Sequence, residues 1–472
     1  MKNFRRWFLV WLFLLLVIGC LLGPFLANPF YADDYYHLAF VKFTPGLKQI
    51  ILRQSFARQF WRPLVMASDF ACLKLFGTRP AAWHILDLLL HSANALLVAL
   101  IFHRLLQGGN QKRRTRLSIL AGTLFAVHPV AILTTAWVAC RADLLAGGFS
   151  LLALLLLLSA LETQKPRPGL MVLSMLAALP AFACKESSFV IPALAWLLTF
   201  GFPAGRSFRR RLADSSLAFL LTAVALALFL AIRLKVMPGL GGYEPIQFRL
   251  DWLWPRLTYH LPRVLGKSLR DFLLWHLPTD SLCARLLLCS YLGLAVICLR
   301  AFCRAPRFWL AGLAWVFISI LPYWNLSHMF AYGEARWLYL GSVAMPLALL
   351  GSISTLERPR NRGLAMLLLA VIAVCFLKTS RDGLRQFQER SNHYEQVKQQ
   401  IKKVIPKDGP VRVYVYGLDF DFYYLDAMLK VYNPKWLDRI IAPAQLPSIA
   451  WVSHDALEQN QESSPIYPKV EV

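Results

Sequence analysis

Residues 7–26, from Trp7 to Leu26, form an unbroken apolar run about twenty residues long. An α-helix rises ~1.5 Å per residue, so the run matches the ~30 Å hydrocarbon core of a bilayer. A helix that is apolar on every face must be buried in lipid or in a large core. Blocks of the same kind recur along all 472 residues, of which 57% are hydrophobic and 16% charged, with a mean hydropathy of +0.48. A soluble domain has roughly a quarter of its residues charged. The chain therefore reads as an α-helical polytopic membrane protein. A cleaved signal peptide has a shorter apolar core and a small-residue cleavage site. Here Gly23, Pro24 and then the aromatic Phe30 and Tyr31 follow, which predicts an uncleaved first helix.

The net charge of +25 raises the question of nucleic acid, and the placement of the cations answers it. Basic clusters fall at Lys2, Arg5 and Arg6, at Lys112 to Arg116, at Lys165 and Arg167, at Arg206 to Arg211, at Arg300 to Arg307 and at Arg358 to Arg362. Each is a short connector between apolar blocks, at every second connector. That is the positive-inside pattern of a multi-pass protein, and no nucleic-acid partner is expected. The nine cysteines lie scattered in apolar segments, without metal-ligand spacing or a disulfide framework.

With the basic loops on the cytoplasmic side, about eleven spans are predicted, at 7–27, 84–106, 117–136, 143–161, 170–184, 188–202, 214–236, 281–300, 308–324, 337–355 and 363–378. The N-terminus is then inside and the C-terminus outside. Two long outer loops run from Ala27 to Trp83 and from about Met237 to Asp280. The second mixes tryptophans with arginines and prolines, as helices lying in the interface do. From Arg381 the composition turns polar, and the alternation of Val411 to Tyr416 and the segment Ile449 to Val452 read as strands. This divides the chain into a transmembrane catalytic unit, 1–378, and a small α/β extracytoplasmic domain, 379–472. No repeat of 20–50 residues is visible, which excludes a helical-repeat array.

Ionisable residues at membrane depth are costly and tend to be functional. Five clusters of them fall on the outer side. Asp33 and Asp34 follow the first span, where paired carboxylates suit a general base or a divalent cation, and equally an ordinary capped turn. Arg62 precedes Pro63, and His84, Asp87 and His91 recur at three and four residues, so they share one helix face. Such a stripe serves substrate contact or a buried hydrogen-bond network. His128-Pro129 marks a helix break, and Arg141 and Asp143 are expected in a short outer turn, as functional groups or as a structural ion pair. Lys185 and Glu186 join two short apolar segments, lining a polar cavity or snorkelling to the interface. Glu334, Arg336 and Tyr339 abut a late span, where Arg336 suits bidentate contact with a phosphate or anchors the interface.

In this order the clusters resemble one family, the GT-C membrane glycosyltransferases, and within it the transmembrane O-mannosyltransferases with tetratricopeptide tails that act on cadherins. The matching residues are Asp33-Asp34, Arg62-Pro63-Leu64, His84 with Asp87 and His91, His128-Pro129-Val130 with Arg141-Ala142-Asp143, Lys185-Glu186-Ser187, and Glu334 through Ser342. They span roughly residues 30–345. Asp87 stands where the family has Asn, Ala131 and Leu133 replace a His and a Glu, and Ala335 separates Glu334 from Arg336. The tetratricopeptide tail is not seen in this sequence.

The resemblance implies a hexosyltransferase using a polyprenyl-phosphate sugar, with inversion, on a protein hydroxyl or an envelope glycan or lipid. It assigns the proton acceptor to Asp33 or Asp34 and the donor phosphate to Arg62, Lys185 and Arg336. His84, Asp87, His91, His128, Arg141, Asp143, Glu186, Glu334 and Tyr339 would line or support the sugar and acceptor sites. Mg or Mn, if used, would sit at Asp33 and Asp34. A bacterial inner membrane with the site on the periplasmic side is the expected location. A transporter would show an internal repeat with paired broken helices, which is not seen. A polysaccharide ligase or polymerase would use a large outer loop such as 237–280. A scaffold would need no ionisable groups gathered at one face.

Overall fold

The structure is a computed structural model that describes residues 2–52, 60–106, 110–163, 165–202, 206–237, 263–266, 280–304, 306–323 and 335–404, with Trp254, Thr258, Val431 and three short strands beyond them. The helices are α1 (Lys2–Leu22), α2 (Asp33–Phe43), α3 (Gly46–Leu52), α4 (Pro63–Phe76), α5 (Pro80–Leu105), α6 (Gln111–Ala126), α7 (Pro129–Ala136) and α8 (Arg141–Ala160). They continue as α9 (Pro168–Cys184), α10 (Ile191–Gly201), α11 (Phe208–Val236), α12 (Asp280–Arg304), α13 (Arg307–Ile320), α14 (Ala344–Ser354) and α15 (Pro359–Val404).

Among the described residues six helical segments are long and apolar enough to cross a membrane, and α6 with α7 makes a seventh if the pair, bent by 52°, is one span. The bend falls at His128-Pro129, because proline has no N–H to continue the α6 ladder. The His128 ring takes over as cap and accepts from the Val130 N–H at 3.2 Å. Four shorter apolar helices, Pro168–Cys184, Glu186–Gly201, Arg307–Tyr323 and Gly341–Ser354, complete the apolar bundle. Large apolar side chains such as Leu16, Leu220, Val296 and Leu367 are exposed on its surface, as the bilayer requires. The protein is a multi-pass membrane protein.

Small residues set the closest helix approaches, since in lipid the packing itself must hold helices together. A Cβ on Gly122 of α6 would lie 2.7 Å from the Ala95 carbonyl of α5 and 3.0 Å from the Ala99 Cβ. On α8, Gly147 and Gly148 make room for the Tyr339 ring and the Asn94 carboxamide.

The first long loop holds three helices, α2 to α4, and its Asp69, Val65 and Met66 are buried. One expectation changes. Arg141 and Asp143 occupy no turn. They open α8 and are buried, because carboxylates on neighbouring helices meet the guanidinium inside the bundle.

Helix α15 runs unbroken through residue 378 to Val404. At ~1.5 Å per residue its 46 residues span roughly 70 Å, more than twice a ~30 Å hydrocarbon core. After it come β1 (Val413–Val415), β2 (Ile449–Trp451) and β3 (Val470–Glu471) in the order β2-β1-β3. β1 pairs parallel to β2, with Val413 opposite Ile449, and antiparallel to β3, with Tyr414 opposite Glu471. Most of 237–280 and the remainder of 405–472 lie outside the described residues.

Replacing Gly122 by Val is expected to push α6 off α5 and to lower stability by about 1–3 kcal/mol. Thermal unfolding of the detergent-solubilised protein measures it, and an unchanged midpoint would refute the close approach.

Candidate active site

The α2 N-terminus carries both acidic residues, and the fold gives them different surroundings. The Asp34 carboxylate is buried and accepts the Tyr31 N–H at 2.8 Å and the Ala139 N–H at 2.6 Å. It closes the turn that opens α2 and ties it to the segment between α7 and α8. Burial pushes its carboxyl well above the usual range, and the two backbone N–H groups pull it partly back. Asp33, one residue earlier, is 19% exposed and accepts from Arg336 Nη1 at 3.1 Å. The Arg336 guanidinium lies over the Trp137 ring, 4.4 Å from its centroid.

The remaining cations meet carboxylates beside this pair. Arg62 donates through Nε and Nη2 to Glu186 Oε2, at 3.1 and 2.7 Å. Arg233 donates to Glu186 Oε1 at 2.8 Å and to the Trp61 carbonyl at 3.0 Å. Lys185 donates to Asp143 at 2.6 Å. Burial pushes the Lys185 ammonium down, Asp143 opposes this, and the charges of Arg62 and Arg336 reach it and push it further down. Asp33, Arg62, Lys185 and Arg336, distant in sequence, thus share one electrostatic locus. Among the described residues the cations Arg62, Lys185, Arg233 and Arg336 there meet the carboxylates Asp33, Asp143 and Glu186.

The other candidates lie behind this locus, each bonded to protein. Arg141 is fully buried, donating to Asp87 at 2.6 and 3.2 Å and to Asp69 at 2.8 Å, and it lies over the Trp83 ring. Asp69 in turn bonds His37 Nδ1 at 2.8 Å. His84 Nε2 donates to the Asn28 carbonyl at 3.2 Å. His91 Nδ1 meets the Tyr339 hydroxyl at 2.8 Å, and that hydroxyl also accepts from Asn94 at 2.9 Å. His128 Nε2 donates to the Val264 carbonyl at 2.8 Å. His84, Asp87 and His91 are thus each buried and bonded to protein through separate partners. Glu334 lies outside the described residues.

Sequence reading missed Asp69, Arg233 and Asn94. The signal was present for two of them: Asp69 and Arg233 are buried charges in apolar stretches of helix, and a charge at such depth needs a partner. Asn94 gave no comparable signal.

Among the described residues no group of three or more His, Cys, Asp or Glu side chains is placed to hold a metal ion. Asp34 is committed to backbone N–H groups and Asp33 to an arginine.

No family model matches the sequence. The chain is 31% identical over 159 residues to Protein O-mannosyl-transferase Tmtc1 of Drosophila melanogaster, covering 34% of this chain and 18% of that protein. It is 34% identical over 127 residues to Protein O-mannosyl-transferase TMTC4 of Homo sapiens, covering 24% of this chain and 17% of that one. The chain thus spans less than a fifth of these relatives. The fold is like that of the oligosaccharyltransferase AglB of Archaeoglobus fulgidus, solved with an inhibitory peptide and a dolichol-phosphate. The TM-score is 0.50 at 11% identity, over 86% of this chain and 59% of that one. The resemblance to GT-C membrane glycosyltransferases read from the motifs is borne out.

Arg141→Met is expected to leave Asp69 and Asp87 buried without their cation and to cost about 3–5 kcal/mol. Denaturant titration in detergent measures it, and a loss below ~1 kcal/mol would contradict the burial of the cluster.

Proposed function

We propose that the chain transfers a hexose from a polyprenyl-phosphate donor to a hydroxyl acceptor, with inversion, at the extracytoplasmic face. The observation that carries this reading is the pairing of Asp33 with Arg336 beside Arg62 and Lys185, which sets a carboxylate next to cations that suit a phosphate.

The chemistry follows from the surroundings of the two aspartates. Both Asp34 oxygens are occupied by backbone N–H groups, so Asp34 is a brace. Asp33, partly exposed, is the base. An acceptor hydroxyl gives its proton to Asp33 as its oxygen bonds the anomeric carbon. The bond from that carbon to the phosphate oxygen breaks, and the electron pair leaves with the phosphate. The phosphate gains a charge in this step, and Arg62, Lys185 and Arg336 stabilise it as it grows. Single displacement gives inversion.

The identified relatives are O-mannosyl-transferases by name, and AglB was solved with a dolichol-phosphate. Both agree with a lipid-phosphate donor. The acceptor is a protein Ser or Thr or an envelope glycan or lipid, and the lipid chain of the donor lies against apolar helices. In this reading the long, bent and shorter apolar helices make about eleven spans with the basic connectors cytoplasmic. Residues 379–472 then form an outer α/β unit near the acceptor.

Purified protein in lipid nanodiscs, given radiolabelled polyprenyl-phosphate hexoses and hydroxyl acceptors, tests this. Asp33→Asn is expected to lose roughly 10²- to 10⁴-fold in rate, with a loss of thermal stability smaller than that of Asp34→Asn. Asp34→Asn is expected to lower stability as well. Full transfer by Asp33→Asn would rule out the assignment.

A further inference from the structure

The turn that presents Asp33 is strained. Ala32 has φ +46° and ψ −113°, a left-handed setting that is rare for residues with a side chain. Asp33 follows directly, so relaxation of Ala32 to negative φ would redirect its carboxylate. Something must hold this turn in place.

Part of the restraint comes from nearby chain. Asp34 binds the Tyr31 and Ala139 N–H groups, and Trp137 Nε1 donates to the Tyr31 carbonyl at 3.3 Å. The rest comes from the far end of the molecule. Tyr31 has its ring centroid 5.1 Å from that of Phe387, 5.2 Å from Tyr394 and 5.3 Å from Trp137. Tyr35 stacks on Tyr394 at 5.8 Å with the rings inclined by 24°. Phe387 and Tyr394 are seven residues apart on α15, about two turns, and so share a face. Both lie past the apolar stretch of α15. Phe30, Ala32, Tyr35, Trp137, Ala139, Tyr394 and Val397 are members of one buried cluster distinct from the main core. Trp137 touches both ends of the arrangement, because the Arg336 guanidinium lies over it and Phe387 packs 6.4 Å away.

We propose that the polar extension of α15 is a strut, with Phe387 and Tyr394 as positioning residues that clamp the Tyr31–Tyr35 turn and hold Asp33 against Arg336. Its catalytic consequence rests on Asp33 acting as base, whereas the mechanical part does not. The clamp also makes the site depend on the segment that leads into the C-terminal strands, so an event on that segment has a direct path to Asp33.

The test compares full-length protein in nanodiscs carrying Tyr394→Ala, Tyr394→Phe, and Tyr394→Ala combined with Ala32→Gly. Transfer kinetics and amide hydrogen exchange at Tyr31 and Ala139 are measured on each. Tyr394→Ala is expected to lower kcat by about tenfold to a hundredfold with the donor KM unchanged. It should also speed exchange at both amides. Tyr394→Phe keeps the ring and should match the wild type. Ala32→Gly should restore part of the lost kcat, because glycine adopts positive φ without strain. If Tyr394→Ala fails to accumulate, Tyr394→Leu carries the same comparison. Unchanged exchange in the Ala or Leu variant overturns the strut, as does an equal kcat loss in Tyr394→Phe. If the wild type transfers no sugar from any donor, the proposed function fails, and amide exchange still decides the strut.

Discussion

The site depends on the cost of leaving a charge unpaired at membrane depth. Taking an ion out of water costs several kcal/mol even after relaxation, and only a close counter-ion offsets it. Arg141 is fully buried, and Asp69 on α4 and Asp87 on α5 both reach it. That one guanidinium joins three helices, and removing it would strand two carboxylates. The pairs Arg62–Glu186, Lys185–Asp143 and Arg336–Asp33 do the same for segments more than 40 residues apart. The bundle is apolar, but charge specifies how its outer ends register.

The two layers of charge do different things. Around Arg141 the carboxylates and His37 are buried and bonded to one another, which makes a rigid floor. Nearer the surface, Asp33, Arg62, Glu186 and Arg336 are partly exposed. In the proposed function an entering phosphate would replace a carboxylate at a guanidinium there and add little desolvation, because the cations are already largely buried. The α2 turn sits at the boundary. Asp34 belongs to the floor and Asp33 to the surface, a separation made by one step along a strained backbone.

Much of this was readable from residues alone. The apolar runs gave the spans because bilayer thickness fixes helix length, and His128-Pro129 gave the α6–α7 bend because proline cannot extend the ladder. The motifs around Asp33, Arg62, Lys185 and Arg336 singled out the residues that the fold gathers. Other features were illegible. Arg141 and Asp143 read as a turn because a charged pair between apolar blocks looks exposed when its partners lie 54 and 42 residues away. The helices of the first outer loop were hidden because none is long enough to resemble a span. Asp69 and Arg233 were overlooked as charges in apolar stretches, although depth itself was a reason to suspect partners.

The sequence by itself determined that this chain crosses a membrane many times and that its charged motifs stand at the ends of apolar blocks. Both follow from local physics, since apolar length and the position of charges act segment by segment. Only the tertiary structure decided which of two adjacent aspartates is held by backbone N–H groups and which meets Arg336, and which cation each carboxylate meets. It also decided that a helix ending more than 350 residues later packs on the turn before them. Those outcomes depend on contacts between distant segments, and hydrogen bonds, ion pairs and ring stacking act only over a few ångströms once the fold has brought the groups together.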